Sequence, residues 1–260
     1  MEVISLIVVL VAGISAGVVT GLVGASAVMV MAPLLIIFTG MEAYVAIGLS
    51  LCTDVIASLF AAKVYYKNKN INLTSIIPLL FFSFIGITAG SYLSLYIPSS
   101  DLSGVTGVAI FFIGLLFITK SHSKKQEFHF FEKIKNSKKK RILTLSILGL
   151  VIGLISGTFG AGGGMMMLVV LVFLLDYTMH TAIGTSIAVM VIMAFFGAVS
   201  HFYYKPFSIF FLIIACIGAF FGAVFSAKIA NKMSETKLRR LVGFILAILG
   251  LVLTVKILFF

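Results

Sequence analysis

The stretch GTFGAGGGMMM, residues 157 to 167, places five glycines inside a segment that is otherwise almost wholly apolar. A glycine in the interior of a helix costs about 1 kcal/mol relative to alanine. Every backbone N–H and C=O at membrane depth also needs a hydrogen-bond partner. A cluster of glycines is therefore a poor choice for an unbroken spanning helix, and this stretch predicts a break between two helices.

The sequence around this break has the composition of an integral membrane protein. Of its 260 residues, 61% are hydrophobic and 10% are charged, whereas soluble domains have about 45–50% apolar and about 25% charged residues. Apolar runs of the length that crosses a bilayer as a helix, roughly 20 residues, recur along the chain. They lack the strict alternation of barrel strands, so we predict an all-α membrane protein.

An internal repeat runs through the chain at a spacing of 136 residues. GISAGVVTGLVGASAVMVM at 13–31 aligns with GLVIGLISGTFGAGGGMMM at 149–167, and AIGLS at 46–50 aligns with AIGTS at 182–186. An ordered series of matches at one spacing indicates an internal duplication. In a later segment the spacing shortens by four residues, because IGITAG at 85–90 aligns with IGAFFG at 217–222.

Each half contains five apolar segments, of which the second is short. The segments cover residues 3–20, 27–39, 43–66, 72–97 and 102–119 in the first half and 142–157, 164–175, 179–204, 207–229 and 238–258 in the second. A segment of about a dozen residues, at about 1.5 Å per residue, is too short to span a bilayer untilted. We therefore predict that each half has a glycine-broken helix and short-helix pair followed by three transmembrane helices.

The basic residues predict the orientation of the chain. Of 19 Lys and Arg residues, 17 lie in three clusters, with nine in the polar segment 120–141, three at 63–69 and five at 228–240. If the third, fourth and fifth segments of each half cross once, these clusters share one side, which the positive-inside rule makes cytoplasmic. The net charge of +11 then faces anionic lipid and the cytosol, and we expect no nucleic-acid partner.

This orientation makes the two halves inverted repeats, an architecture typical of transporters that bind substrate near the midplane. The predicted divisions are a first membrane repeat at 1–119, a cytoplasmic linker at 120–141 and a second membrane repeat at 142–260. We expect a multi-pass protein of the plasma (inner) membrane with both termini outside. Glu2 precedes the first apolar run without Lys or Arg, which favours a retained first helix over a cleaved signal peptide.

The paired glycine-rich breaks are the predicted binding site. GLVGAS at 21–26 and GTFGAGGG at 157–164 would free backbone N–H groups beside the positive end of a short helix. Two such breaks facing each other would form a nest of donors for a small anion. The alternative is that these glycines only let helices pack closely. The predicted substrate-binding residues are Gly24, Ala25, Ser26, Gly160, Ala161, Gly162, Gly163, Gly164, Ser50, Thr185 and Ser186.

The arrangement resembles the TauE/SafE family of sulfite exporter, or TSUP, permeases. The resemblance rests on the chain length, the basic central linker and two copies of a G-x-x-G-x-G-G-G-like element. The copy at 157–164 fits the pattern, whereas the first copy has Ala25, Ser26, Ala27 and Val28 where glycines are usual. The resemblance implies export of sulfite, sulfonates or related small organic anions.

Asp54 is the only acid near the middle of an apolar segment. An intramembrane carboxylate is costly and is by default a functional candidate. Ala46, Ser50, Asp54 and Ser58 recur every four residues and share one helix face, whose counterpart in the second half carries Met190 instead of an acid. Two interpretations of Asp54 stay open. It has a role in transport with proton coupling, or it is hydrogen-bonded in a helix interface and has a structural role alone.

The sequence lacks the residue sets that metal binding, ATP coupling or catalysis would need. No His, Cys, Asp or Glu set has the spacing of metal ligands, so we predict no metal and no cofactor. The chain has no G-x-x-x-x-G-K-[ST] loop for direct ATP coupling. An enzyme would need a convergent acid–base or nucleophile set, and the core offers only Asp54. We predict a small-anion transporter working by alternating access, with an intramembrane enzyme or a non-transporting scaffold as alternatives and no prediction of oligomeric state.

Overall fold

The computed structural model describes residues 2–93, 111–119, 138–159 and 163–259. Over these residues the protein is all-helical and has ten α-helices. They are α1 (Glu2–Val23), α2 (Val28–Thr39), α3 (Ala43–Lys67), α4 (Ile77–Leu93), α5 (111–119), α6 (Lys138–Phe159), α7 (Gly163–Val169), α8 (Met179–Tyr204), α9 (Ile209–Lys232) and α10 (Glu235–Phe259). A 3₁₀ turn at Thr74–Ile76 precedes α4, and a π-helix at Val170–Leu174 continues α7.

The helix pattern agrees with the apolar segments of the sequence. Each half has its short second helix, since α2 has 12 residues and α7 has 7 before the π-helical turn. Among the described helices, α1, α3, α8 and α9 are long and apolar enough to cross a membrane. Helix α6 begins at Lys138, inside the predicted linker 120–141, of which residues 120–137 lie outside the described part of the chain.

The first helix of each half packs against the fourth helix of the other half, α1 on α9 and α6 on α4. Glycines make these contacts close. A Cβ at Gly13 would overlap the backbone of Ala215, and a Cβ at Gly149 would overlap the backbone of Leu79. Small residues let helix backbones approach in this way in membranes. For these glycines outside the break, the packing interpretation is therefore sufficient.

These contacts fix the register of the fourth helices. Gly86 on α4 faces Leu150 and Leu154, and Gly222 on α9 faces the residues 136 positions earlier than these, Ile14 and Val18. Gly86 and Gly222 are themselves 136 apart. The contacts thus keep one spacing, without the four-residue shift suggested by the sequence match.

At the centre of the molecule, α3 and α8 pack side by side in opposite directions. Gly48, near the start of α3, faces His201 near the end of α8, while Gly184, near the start of α8, faces Tyr65 near the end of α3. Buried polar side chains lie along both helices, namely Ser50, Thr53, Asp54, Ser58, Thr185, Ser186 and His201. This pair therefore carries polar groups into the interior, where the two helix breaks lie.

Candidate functional site

The break after α1 consists of residues 24–27, and its conformation depends on glycine. Gly24 has a φ of +70°, in the left-handed region where a side chain is strained. Its N–H still bonds the Thr20 carbonyl oxygen at 3.0 Å, so the last turn of α1 is complete before the chain reverses. Residues 25–27 then lead into α2, with the Ser26 hydroxyl 3.4 Å from the backbone N of Val28.

The carboxylate of Asp54, on α3, lies against this break. Ser26 Oγ donates to Oδ2 at 2.7 Å and Thr20 Oγ1 lies 3.3 Å from Oδ1. Asp54 is only 1% exposed, and among the described residues no basic side chain acts on it. Two neutral hydroxyls therefore hold this buried carboxylate, since a buried polar group needs hydrogen-bond partners.

The second break separates α6, which ends at Phe159, from α7, which begins at Gly163. The predicted site residues Gly160, Ala161 and Gly162 lie outside the described residues. Gly163 and Gly164 open α7 and are buried. A Cβ at Gly163 would overlap the Ser156 side chain, and one at Gly164 would lie 2.7 Å from the carbonyl oxygen of Gly24. The start of α7 therefore adjoins the first break directly.

A small cavity lies where these elements meet. Its free volume is about 10 Å³, about the space of one water molecule, and it is lined by Ser26, Leu51, Asp54, Ser156, Gly164, Met190, Met193 and Ala194. Two hydroxyls and one carboxylate supply its polarity, while the methionines, leucine and alanine make the rest of the wall apolar. A ligand of several heavy atoms therefore enters only if the walls of the cavity move apart.

Several predicted site residues converge here. Ser186 Oγ lies 3.5 Å from the Gly24 carbonyl oxygen and donates to Ile183 O at 2.9 Å. Ala25, between Gly24 and Ser26 in the first break, is fully buried. Gly24, Ala25, Ser26, Asp54, Gly163, Gly164 and Ser186 thus share one region around the two breaks.

Two predicted hydroxyls are engaged elsewhere. Ser50 Oγ donates to Ala46 O of its own helix at 2.6 Å. Thr185 Oγ1 accepts from the backbone N–H of Asn72 at 3.0 Å. Neither residue lines the cavity.

The sequence analysis did not single out Thr20 and Ser156. Thr20 contacts Asp54, and Ser156 lines the cavity beside α7. The two positions are 136 apart, so the alignment that pairs Gly21 with Gly157 also pairs these two hydroxyl residues. The repeat itself was the signal that could have identified them.

The α3–α8 pair is closed at both ends. At one end, Glu42 and Lys205 form an ion pair and Tyr44 stacks on His201 with ring centroids 4.5 Å apart. We call this the Glu42 end. At the other, the Asn70 end, the Asn72 N–H donates to Thr185 Oγ1 of α8 at 3.0 Å, and Asn70 Nδ2 donates to Asn231 Oδ1 of α9 at 2.7 Å. Contacts therefore hold the pair together at both of its ends.

Helix breaks that meet in the interior of an apolar helical bundle are typical of membrane transporters. The chain belongs to the sulfite exporter TauE/SafE family, whose model matches residues 9–253. The resemblance predicted from the glycine elements and linker is confirmed. The protein is thus a multi-pass membrane transporter and not an enzyme.

The relatives agree with this assignment. The chain is similar to the probable membrane transporter proteins YdhB and YunE of Bacillus subtilis (strain 168). It is 25% identical to YdhB over 237 residues, 91% of this chain and 95% of YdhB, and 25% identical to YunE over 264 residues, 95% of this chain and 96% of YunE. It is 26% identical to the probable membrane transporter protein MJ0441 of Methanocaldococcus jannaschii over 220 residues, 79% of this chain and 77% of the relative. No solved structure gives a significant match.

Proposed function

We propose that this protein carries a small anion, such as sulfite, a sulfonate or a related organic anion, across the plasma (inner) membrane, most simply as an exporter. The observation that carries the proposal is the cavity beside the two breaks, with the hydroxyls of Ser26 and Ser156 and Gly164 of α7 in its wall. Hydroxyl and backbone N–H donors suit an oxyanion. The family description, which names sulfite export, favours the same substrate class.

Inverted repeats form part of the proposal. Antiparallel packing of α3 and α8, which are third helices of their halves, supports opposite orientations. The pairs α1–α9 and α4–α6 each join the first helix of one half to the fourth helix of the other half. Their contacts recur at a spacing of 136 residues, which supports a pseudo-twofold relation between the halves. The proposed divisions are residues 1–119 and 142–260 for the repeats, joined by a cytoplasmic linker at 120–141, with both termini outside.

Alternating access then requires the two ends of the α3–α8 pair to open in turn. Opening outward breaks the Glu42–Lys205 pair and the Tyr44–His201 stack, while the contacts of the Asn70 end persist. Opening inward breaks the Asn70–Asn231 and Asn72–Thr185 hydrogen bonds. All of these contacts are at the surface or between neutral groups, and each contributes about 0.5–1.5 kcal/mol or less. Breaking the contacts at one end while those at the other end form therefore needs only a modest free energy.

Asp54 is the proposed proton-coupling residue. Its carboxylate lines the cavity and is the buried acid nearest to any bound anion. A carboxylate in such a place can bind a proton on one side of the membrane and release it on the other.

Gly163 offers a direct test of the site. A Cβ there would overlap the Ser156 side chain and lie 3.2 Å from Met193 Cε, so added bulk meets movable side chains of the cavity wall. Gly163→Ala and Gly163→Val should reduce sulfite uptake into proteoliposomes progressively, with near-complete loss for valine, while the protein still purifies as a folded species. Ala89→Val is the matched control, because Ala89 is exposed on α4 and can take the added bulk.

Wild-type uptake by folded Gly163→Val would remove the site from this cavity. Failure of the wild-type protein to move sulfite or any small sulfonate would overturn the proposed substrate class.

A further inference from the structure

The donors of the first helix break already hold an anion, because the Asp54 carboxylate occupies them. The Ser26 hydroxyl donates to Oδ2 at 2.7 Å, and Thr20 Oγ1, in the last turn before the break, lies 3.3 Å from Oδ1. These are the groups that would bind an incoming oxyanion at this break. A substrate anion cannot use them while the carboxylate does.

The second half has no such internal anion. The position 136 residues after Asp54 is Met190, whose thioether lines the same cavity and lies against Gly164. Thr20, which contacts the carboxylate, has Ser156 as its counterpart, and Ser156 lines the cavity instead of bonding an acid. The cavity therefore has one acidic side and one neutral side.

No other charged side chain of these helices is placed to neutralise the Asp54 carboxylate and a bound substrate anion together. Across α1, α2, α3, α6, α7, α8 and α9, the other titratable side chains bind elsewhere or lie near the helix ends, as do the four basic residues in the first turn of α6. Tyr65 donates to Gly21 O, and His201 lies 3.0 Å from Gly197 O. Cys52 on α3 and Cys216 on α9 are free, half-buried thiols. His180 pairs with Glu235 at 3.0 Å. The charged residues Glu2, Lys67 and Lys232 stand in terminal turns, Lys63 and Lys228 stand one turn before a helix end, and Tyr44, Tyr66, Tyr203 and Tyr204 stand near the helix ends.

We propose that the transported anion displaces the Asp54 carboxylate from Ser26 and Thr20, and that it can do so only when Asp54 is protonated. This inference rests on the proposed anion-transport function. Two anions in contact within a buried cavity repel strongly, because the surrounding dielectric is low. Protonation of one Asp54 oxygen from the side to which the cavity is open adds one proton and breaks no covalent bond. Each anion then enters the site together with one proton.

The test measures proton uptake during anion binding to the purified full-length protein. Methanesulfonate is the probe, since its charge stays constant from mildly acidic to mildly alkaline pH. Calorimetric titration in two buffers of different ionisation enthalpy counts the protons. The expected result is uptake of one proton per anion wherever Asp54 starts ionised, with an affinity that falls about tenfold per pH unit in that range.

Three variants show whether the proton is taken up by Asp54. Asp54→Asn should bind methanesulfonate with no proton uptake and no pH dependence. Ser26→Ala keeps the carboxylate and should bind more weakly with the proton uptake intact, so it tests the inference if Asp54→Asn fails to fold. Asp176→Asn, a matched change at an exposed acid in the loop before α8, should behave like the wild-type protein.

Failure of this inference and failure of the proposed transport function give different experimental results. Anion binding by the wild-type protein without proton uptake, or an unchanged pH dependence in Asp54→Asn, overturns the competition and leaves anion transport standing. Absence of binding of both methanesulfonate and sulfite at every pH overturns the proposed function and this inference together.

Discussion

The hydrogen bond between Ser26 and Asp54 should be among the strongest single polar contacts in the described core. Its 2.7 Å length is normal for O–H···O, it is buried, and its acceptor is a carboxylate. Hydrogen bonds to charged groups contribute about 1.5–3 kcal/mol. The contact from Thr20 to the same carboxylate, at 3.3 Å, is longer than an ordinary O–H···O bond and should contribute about 0.5 kcal/mol.

These magnitudes predict an ordered series of stabilities. Ser26→Ala should lower the free energy of unfolding by about 2 kcal/mol, a factor of about 30 in the unfolding equilibrium constant. Thr20→Val should cost about 0.5 kcal/mol. The matched control is Ser83→Ala, because the buried Ser83 hydroxyl bonds only Leu79 O of its own helix, at 2.6 Å. Such a back-bond slightly destabilises a helix, so its loss should change stability little.

The assay is equilibrium unfolding in mixed micelles, arranged as a double-mutant cycle of Ser26→Ala with Asp54→Asn. A coupling energy of at least about 1 kcal/mol is expected, since the two side chains are in contact. Equal costs for Ser26→Ala and Ser83→Ala would refute the reasoning. So would a Ser26→Ala cost that is the same with and without the Asp54 carboxylate.

Two further predictions concern orientation and packing. In a background lacking Cys52 and Cys216, Glu42→Cys in intact cells should react with an impermeant thiol reagent and Lys69→Cys should not; the opposite pattern would reverse the proposed orientation. Gly17→Val and Gly153→Val should both abolish the monodisperse folded peak in gel filtration, because the added Cβ overlaps a carbonyl oxygen of the facing helix and backbone cannot move aside cheaply. Folded, stable protein from either glycine variant would contradict the packing described.

Much of the local structure follows from the sequence. Glycine and the length of each apolar run predicted the short helix at 27–39 and the long one at 179–204, and the structure has them at Val28–Thr39 and Met179–Tyr204. The break at residues 24–27 also lies where the glycine element placed it. These features are predictable because helix propensity, apolar length and left-handed φ are properties of a few neighbouring residues.

The four-residue shift between the fourth segments shows where local pattern stops being informative. Small residues recur every four positions on both helices, as with Gly86 and Gly90 or Gly218 and Gly222. Matching them in register or one turn out of register therefore gives similar sequence agreement. Only the contacts with Leu150 and Ile14 on the facing helices select the spacing of 136.

The partner of Asp54 was likewise decided by the tertiary structure. The sequence marked the acid as buried and left its role open, because nothing near it in the chain identifies what it faces. Ser26 lies 28 residues away, and the second break lies in the other half of the chain. Burial and periodicity are encoded within each segment, whereas which polar groups meet depends on how side-chain volumes fit between helices that are distant in sequence.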